Sequence, residues 1–241
     1  KNGLLMMQNT KAKKLTYALK TYADYKAQIL ENQLSGLLLK IDGQEVWVKL
    51  IGTFNAYNLL AIYATAVNLG LQEQEVLTLM SELESVSGRF QYIISDTNVT
   101  AIVDYAHTPD ALENVLKTIE NIRTRNEQLI TVVGCGGDRD TTKRPVMANI
   151  ASSYSDKAIF TSDNPRTENP EAIIEDMEKG VEPQNYKKTI AITDRKQAIK
   201  TACQLAEPND IILIAGKGHE TYQEINGVRN HFDDMETVKE L

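Results

Sequence analysis

The sequence has few cysteines and no long hydrophobic run. Its 241 residues include two cysteines, Cys135 and Cys203, which are far apart and in no paired motif. A disulfide scaffold is therefore excluded, and a reducing compartment such as the cytoplasm is favoured. No apolar run approaches the roughly 20 residues of a membrane-spanning helix, so we expect no membrane partner.

An excess of positive charge is also missing. The 26 lysine and arginine residues are outnumbered by 33 aspartate and glutamate residues, and the formal net charge is −7. A protein that coats nucleic acid needs a basic face for the phosphates, so we expect no nucleic-acid partner. A local basic pocket for a small anion is compatible with this charge.

Several signature motifs of nucleotide and metal chemistry are absent as well. The chain has no G-x-x-x-x-G-K-[ST] phosphate loop and no G-x-G-x-x-G fingerprint, which excludes an ordinary dinucleotide oxidoreductase. Its histidines have no metal-ligand spacing with one another, so we expect no metal site built on them. His107 and His219, taken singly, are typical of hydrogen-bonding or capping residues.

The first part of the chain, residues 1–95, mixes β-like runs with helices. The runs at 4–8 and 36–50 are β-like, and an Asp-Gly pair inside the second run indicates a hairpin. Apolar residues recur every three or four positions at 52–70 and 72–83, which predicts two helices.

From residue 96 onward, strands and helices alternate regularly. Buried strands are predicted at 99–103, 129–133, 157–160, 189–192 and 210–215. Amphipathic helices lie between them, and two begin with a capping residue followed by proline, at Thr108 and Asn169. This alternation predicts an α/β fold with a mostly parallel sheet covered on both faces, beginning at a domain boundary near residue 95.

Polar or glycine-rich loops follow four of these strands. In an open α/β sheet, ligands bind at the carboxyl ends of the strands, so we expect the loops to open onto one rim. They lie at 104–107, 134–144, 162–166 and 215–223.

The loop GCGGDRDTTKR has two interpretations. Its glycines allow close backbone approach, and Arg139, Lys143 and Arg144 are donors suited to a carboxylate or phosphate, which indicates an anion pocket. A solvated turn that caps a helix is the alternative. Cys135 has no identifiable base partner, so a small buried thiol is favoured over a nucleophile.

The segment TSDNPRTENP holds an arginine in a rigid loop. Pro165 stiffens the backbone before Arg166, and Asp163 and Asn164 can hydrogen-bond locally to shape the turn. An arginine held in this way opposite Arg139 is typical of a carboxylate or phosphate clamp, and a solvated surface arginine is the alternative.

The loop AGKGHETYQ adds the opposite charge. Gly216 and Gly218 expose backbone donors and acceptors, and Glu220 can receive an ammonium group. Two arginines, a glutamate and a backbone carbonyl together predict a site for a molecule with both carboxylate and amine, which is an amino acid.

Several motifs in order carry a resemblance to a known family. DYAHTPDALE, GCGGDRD…KRPVM, SDNPRTENP and AGKGHETYQ, with NTKA, GTFNAYNLLA and SGRFQ before them, make the chain similar to the Mur ligases over essentially its whole length. The resemblance implies that residues 1–95 are the tail of an α/β ATPase domain and 96–241 a Rossmann-like amino-acid-binding domain. Because the family's phosphate loop is missing, we expect a fragment that is inactive alone. We expect the parent enzyme to be a monomer.

The resemblance also implies a reaction. In this family ATP phosphorylates a carboxylate of a UDP-N-acetylmuramoyl peptide, and an incoming amine attacks the acyl phosphate. The implied cofactors are ATP and Mg²⁺, held mainly by the missing part of the ATPase domain. The implied substrates are UDP-N-acetylmuramoyl-L-Ala-D-Glu and meso-2,6-diaminopimelate, in cytoplasmic synthesis of peptidoglycan precursors.

Family resemblance assigns residues to the amino acid. They are Arg139, Asp163, Asn164, Pro165, Arg166, Gly216 and Glu220. The D-N-P-R stretch matches members that add meso-diaminopimelate, whose second carboxylate would pair with the arginine. Lysine has no such carboxylate and would leave the arginine unpaired, which a polar site rejects strongly. A member adding a different diamino acid is an alternative.

The resemblance places the nucleotide near four other residues. Asn58 would lie near adenine, Arg89 and Asp104 near the ribose, and His107 close by. From the residues alone, Asn58 could equally cap or bridge its helix, and Arg89 could stack on a neighbour. A stand-alone amino-acid or nucleotide-binding module without catalysis is the alternative function.

Overall fold

The computed structural model describes residues 7–241. The chain divides into two compact units, Lys1–Glu84 and Ser85–Leu241. The β-like run predicted at 4–8 lies mostly outside the described residues, and its last two residues belong to a turn. Within 7–241, no helix is long and apolar enough to cross a membrane.

The first unit contains a four-stranded sheet and two helices. Its strands are Tyr17–Ala18 (β1), Tyr25–Gln33 (β2), Gly36–Ile41 (β3) and Gln44–Val48 (β4), and its helices are Thr53–Asn68 (α1) and Glu73–Glu82 (α2). The strand order is β1-β2-β3-β4, with β1 parallel to β2 and the other neighbours antiparallel. Both predicted helices are confirmed.

The predicted hairpin joins β3 and β4. Asp42 and Gly43 form its turn with φ of 46° and 92°, the left-handed conformation that Asp-Gly turns favour. Alternate residues of β3 face α1, so the strand and the helix share one core. That core includes Leu37, Leu39, Ile41, Leu59, Leu60 and Tyr63.

The second unit is built on a six-stranded sheet. Its strands are Gln91–Ile94 (β5), Thr100–Asp104 (β6), Leu129–Cys135 (β7), Lys157–Ser162 (β8), Thr189–Ala191 (β9) and Ile211–Ala215 (β10). They lie in the order β5-β6-β10-β7-β8-β9. All neighbours are parallel except β5, which is antiparallel to β6. All five strands predicted from residue 96 onward are therefore confirmed.

Helices complete the second unit. They are Pro109–Ile122 (α3), Lys143–Tyr154 (α4), Pro170–Glu178 (α5), Arg195–Leu205 (α6) and Asp234–Lys239 (α7), with a 3₁₀ helix at Pro183–Lys188. The predicted caps are confirmed, because Thr108 and Asn169 accept hydrogen bonds from the backbone N–H groups of Ala111 and Ala172. Every residue of β10 is buried, as expected for a parallel strand covered on both faces. The predicted α/β fold is thus confirmed.

Two parts of the second unit were not predicted. Strand β5 pairs with β6, so the boundary expected near residue 95 lies inside this unit, directly after its first strand. An antiparallel hairpin, Tyr222–Ile225 (β11) and Val228–His231 (β12), turns at Asn226 and Gly227. Both turn residues have positive φ, the conformation that an Asn-Gly pair favours.

A buried ion pair ties two helices to the sheet. The Arg195 guanidinium at the start of α6 donates to both oxygens of Asp234, at 2.8 and 2.7 Å, and to the carbonyl oxygen of Ala215, at 3.2 Å. Both side chains of the pair are 0% exposed. Since Ala215 is the last residue of β10, the pair braces the point where the loop at 215–223 begins.

Replacing Asp234 with alanine should therefore be costly. The substitution leaves the Arg195 charge buried without its partner, and we expect a loss of about 3–5 kcal/mol in the free energy of unfolding, measured by urea titration. Glu240→Ala is the matched control, because it removes a carboxylate that pairs with Lys196 on the surface. That variant should unfold near the wild-type midpoint, and equal midpoints for the two variants would contradict the prediction.

Candidate functional site

The four polar loops meet at one cavity of about 500 Å³ at the carboxyl ends of the strands. Each of the four loops contributes to the lining of this cavity, through Tyr105, Gly136, Asp163 and Gly216 among others. The expectation of a common rim is therefore confirmed. All members of the predicted amino-acid site except Pro165 line this cavity. They are Arg139, Asp163, Asn164, Arg166, Gly216 and Glu220.

Gly136 lies between the two arginines. A Cβ atom built on this glycine would lie 3.0 Å from Nη1 of Arg166 and 3.9 Å from Cγ of Arg139. Both arginine side chains therefore flank the same backbone position and line the same cavity. A larger residue here would occupy the space between them.

Arg166 is held in an unusual conformation. Its φ is 52°, in the left-handed region that few residues other than glycine adopt. The backbone N–H of Arg166 donates to the carbonyl of Glu224 at 3.0 Å, and its carbonyl accepts from the N–H of Asn226 at 2.6 Å. These bonds attach it to the β11–β12 hairpin, which offsets the backbone strain.

The guanidinium groups of both arginines have few hydrogen-bond partners among residues 7–241. Nη1 of Arg166 donates to the carbonyl of Gly137 at 2.7 Å, and its other donors have no partner among residues 7–241. Arg139 is exposed and makes no hydrogen bond or ion pair with any residue in that range. Two guanidinium groups without an ion-pair partner among residues 7–241 make the cavity suited to carboxylate or phosphate.

The same cavity also carries acidic and amide groups. Asp163 and Asn164 are 8% and 2% exposed, and Asn164 Nδ2 donates to Oε2 of Glu220 at 2.8 Å. Gly216 has a φ of 119°, and a Cβ there would lie 2.8 Å from Oδ2 of Asp163. Only glycine leaves the Asp163 carboxylate room at this point. These carboxylates can accept an ammonium group from a ligand.

Pro165 supports the site without lining it. It is buried, and its carbonyl accepts a hydrogen bond from Glu168 N–H at 3.0 Å. A Cβ on Gly137 would lie 2.0 Å from that carbonyl, so the loops after β7 and β8 are in direct backbone contact. Gly137 N–H also donates to the carbonyl of Asn164 at 2.9 Å. The proline thus belongs to the wall that fixes Arg166.

Arg144 does not serve the pocket, and the interpretation of it as an anion donor is wrong. It is 2% exposed and donates to both oxygens of Glu168 at 2.8 Å and to Asp176 at 3.0 Å. Glu168 also accepts from the N–H of Asp138, and Asp138 in turn accepts from Thr167. The hydrogen bonds from Thr167 lower the pKa of the Asp138 carboxyl. Arg144 therefore anchors one arginine-bearing loop to the other.

A second cluster surrounds Tyr105. The Arg89 guanidinium lies 5.0 Å from the centre of the Tyr105 ring, and the rings of His107 and His219 lie 4.4 and 4.9 Å from it. His107 Nδ1 is hydrogen-bonded to the Tyr105 carbonyl at 2.8 Å. The stacking considered for Arg89 is thus present, and it leaves the guanidinium edge exposed. The cluster offers aromatic and cationic faces side by side.

Asp104 lies buried beside this cluster. It accepts a hydrogen bond from Phe90 N–H at 2.7 Å, and burial raises the pKa of its carboxyl. Arg89, Asp104 and His107 therefore lie in one region of the second unit. Asn58 belongs to the first unit, where it is exposed on α1 and donates to Oδ1 of Asn55 at 3.2 Å. The hydrogen bond between Asn58 and Asn55 is a bridge within the helix, which the sequence allowed as an alternative to the adenine contact.

Cys135 is a buried thiol, as predicted. It is 2% exposed, its Sγ donates to the sulfur of Met147 at 3.7 Å, and burial raises its pKa to about 12. A thiol with this pKa is almost entirely protonated at neutral pH, so it is a poor nucleophile.

Some cavity residues were missed from the sequence. Tyr105, Asp140 and Tyr222 line the cavity, and Lys217 lies buried behind it. Each stands inside one of the four loop motifs, so proximity to the recognised residues was the available signal. Nothing in the sequence marks Lys217 as buried, because lysine in a glycine-rich loop is typical of a solvated position.

Comparisons with known proteins agree with this geometry. A family model described as "Mur ligase, glutamate ligase domain" matches residues 88–218. The chain is 56% identical over 241 residues to a protein of Cytophaga hutchinsonii and 57% identical to one of Parabacteroides distasonis. Both are named UDP-N-acetylmuramoyl-L-alanyl-D-glutamate–2,6-diaminopimelate ligase. The matches cover 100% of this chain but 49% and 50% of those proteins, so the chain spans about half their length.

Solved structures give the same result. The structure of a UDP-N-acetylmuramoyl-L-alanyl-D-glutamate–2,6-diaminopimelate ligase matches with a TM-score of 0.70 and 43% identity, over 94% of this chain and 47% of that chain. A UDP-N-acetylmuramate-alanine ligase of Thermotoga maritima matches with a TM-score of 0.66 and 19% identity, over 94% of this chain and 46% of that one. The second match reflects a shared fold.

A substitution of Gly216 tests the close approach of this residue to Asp163. Gly216→Ala combines an unfavourable φ with a clash against Asp163, and we expect it to lower the free energy of unfolding by about 1–3 kcal/mol more than Gly227→Ala. Gly227 is the matched control, because its φ is 77° and nothing lies within 4 Å of its Cβ position. Urea titration of both variants measures the difference, and equal losses would contradict the clash.

The two cysteines should differ in reactivity. At pH 8 a thiol with a pKa near 12 has only about one thiolate in 10⁴ molecules, so native Cys135 should resist iodoacetamide. Cys203 is half-buried on α6 and should react first. Mass spectrometry of peptides from native and urea-unfolded protein measures both rates. Labelling of native Cys135 at its unfolded rate would contradict the buried assignment.

Proposed function

Because the chain belongs to the Mur ligase family, we propose that the protein adds meso-2,6-diaminopimelate to UDP-N-acetylmuramoyl-L-Ala-D-Glu in an ATP-dependent ligation. One observation carries this proposal. Arg139 and Arg166, both with unused donors, share a cavity with Asp163 and Glu220. The names of the most similar relatives point the same way, although the chain spans only about half their length.

The charges in the cavity fit a doubly zwitterionic ligand. We assign one carboxylate of diaminopimelate to Arg139 and the other to Arg166, so that the two ends of the molecule are held by separate loops. Asp163 and Glu220 then accept the ammonium group next to the Arg166 carboxylate. Lysine would leave Arg166 without a partner, and we propose that this excludes it. A cavity of about 500 Å³ is adequate for one amino acid.

The proposed reaction has two steps. The terminal carboxylate of the UDP-substrate takes the γ-phosphoryl group of ATP and gives an acyl phosphate and ADP. The free amine of diaminopimelate then attacks the acyl carbon, so that a C–N bond forms, the C–O bond to phosphate breaks and the amine loses a proton. This chain contributes by holding the amino acid so that its amine is positioned for attack.

We also propose nucleotide contacts, from the family resemblance and the cluster around Tyr105. Arg89, Asp104 and His107 lie around Tyr105 in the second unit, where the ring and the guanidinium could contact ribose or base. Asn58 in the first unit is the proposed adenine contact, on family resemblance. ATP and Mg²⁺ are the proposed cofactors. Among residues 7–241 no group of three His, Cys, Asp or Glu side chains could hold a metal. By family resemblance, we propose that the ion is held mainly by the part of the ATPase domain that this sequence lacks.

The two units receive proposed identities as well. We propose that the first unit is the end of an ATPase domain and the second the amino-acid-binding domain, in a monomeric cytoplasmic enzyme. The competing function is an amino-acid-binding module without catalysis, which the missing phosphate loop of this sequence favours. The two differ in whether diaminopimelate is consumed or only bound.

Ligation assays on the polypeptide encoded by the complete gene test the proposal. Release of ADP should depend on both UDP-N-acetylmuramoyl-L-Ala-D-Glu and diaminopimelate, and lysine should not substitute. Arg166→Ala should raise the KM for diaminopimelate about 10- to 100-fold, because a charge-assisted contact is lost, and should leave the KM for ATP nearly unchanged.

Arg125→Ala is the control for that variant. Arg125 is exposed and lies outside the cavity lining, and its one ion pair among residues 7–241 is with Glu120 at 3.6 Å, so both Michaelis constants should keep their wild-type values. Equal increases of both constants in Arg166→Ala would remove the assignment of Arg166. Binding of diaminopimelate without any ADP release would favour the module.

A further inference from the structure

Lys217 is a buried cation directly behind the amino-acid cavity. Its side chain is 0% exposed, and its Nζ donates to Oδ1 of Asn164 at 3.0 Å and to Oε2 of Glu220 at 3.3 Å. The ring of Tyr222 lies 5.6 Å from Nζ. Burying an ammonium group is costly unless it is paired, and Glu220 supplies the opposite charge.

These contacts fix the orientation of Asn164. Lys217 Nζ and the backbone N–H of Glu224, at 2.9 Å, both donate to the same atom of the amide. Since neither can accept a hydrogen bond, that atom must be the carbonyl oxygen Oδ1. The amide nitrogen Nδ2 is therefore turned toward Glu220, to which it donates.

The same contacts use up one oxygen of Glu220. Oε2 accepts from both Lys217 and Asn164, whereas Oε1 has no hydrogen bond with any residue in 7–241. Asn164 likewise keeps one N–H of Nδ2 without a partner in that range. The pocket is left with an acceptor on Glu220 beside a donor on Asn164.

We propose that Lys217 is a positioning residue that gives the cavity this donor and acceptor pattern, matched to an ammonium group and a carboxylate oxygen on one carbon of the ligand. The inference rests on the proposed function, because it concerns the amino acid that binds there. Lys217 itself does not line the cavity and acts through Asn164 and Glu220. Without its ammonium group the amide can turn over and Glu220 can rotate.

Kinetics of Lys217→Met in the complete protein test this role. Methionine is likewise unbranched, is one atom shorter than lysine and removes the charge. We expect the KM for diaminopimelate to rise about 10-fold or more, while kcat and the KM for ATP stay within about threefold of wild type. Lys217→Arg, which keeps donors and charge, should recover part of the affinity. Lys200→Met is the matched control, since Lys200 is exposed on α6.

A double variant separates positioning from general destabilisation. If Lys217 acts through Glu220, then Lys217→Met should add little to the effect of Glu220→Gln on the KM for diaminopimelate. Effects that multiply fully, or a Lys217→Met enzyme with wild-type KM, would overturn the proposal. Equal damage to kcat and both Michaelis constants would overturn it too.

Two further controls cover variants that do not fold and a wild-type protein that does not ligate diaminopimelate. Lys217→Gln keeps one donor for Asn164 and replaces Lys217→Met if the latter does not fold; if neither folds, Lys217 serves the fold and the proposal is overturned. A wild-type protein that binds diaminopimelate by calorimetry without ligating it removes the proposed reaction, and the dissociation constant then replaces KM. A wild-type protein that neither ligates nor binds it overturns both proposals.

Discussion

Hydrogen bonds between the loops after β7 and β8 determine what the cavity can bind. Gly137 donates to the Asn164 carbonyl, and Arg166 donates back to the Gly137 carbonyl at 2.7 Å. Glycine is required in this contact, because a side chain at Gly137 would meet the carbonyl of Pro165. With the two backbones joined, Arg139 and Arg166 line one cavity, and neither forms an ion pair with a carboxylate of residues 7–241.

The cationic side chains around that contact form two groups, one buried and one lining the cavity. Three buried cations, Arg144, Arg195 and Lys217, are each paired with a carboxylate and support the loops from behind. Arg139 and Arg166, which line the cavity together with Lys143, have no such partner among residues 7–241. Buried charges are tolerated because they are paired, whereas the exposed ones remain available to a ligand. A preorganised anion site benefits from this division, since guanidinium donors that are not used by protein carboxylates remain available to a ligand.

The β11–β12 hairpin, which follows β10, is hydrogen-bonded to the loop that carries Arg166. It accepts and donates the backbone hydrogen bonds of Arg166, and its residue Glu224 also donates to Asn164. The left-handed backbone of Arg166 is therefore held by elements more than fifty residues away in sequence. The proposed ligase function uses this rigidity, because an amine positioned for attack on an acyl phosphate must be held closely.

Local structure and the position of the candidate site could be predicted from the sequence. Strand–helix alternation, the Thr108 and Asn169 caps and the Asp42-Gly43 turn depend on neighbouring residues, and each was predicted correctly. The site followed because parallel strands place their carboxyl ends on one edge. Which charged side chains are paired inside the protein became visible only in the folded chain. Arg144 was expected in the pocket and is buried, and Lys217 was not noticed, because burial and ion pairing depend on partners that are distant in the chain and adjacent only after folding.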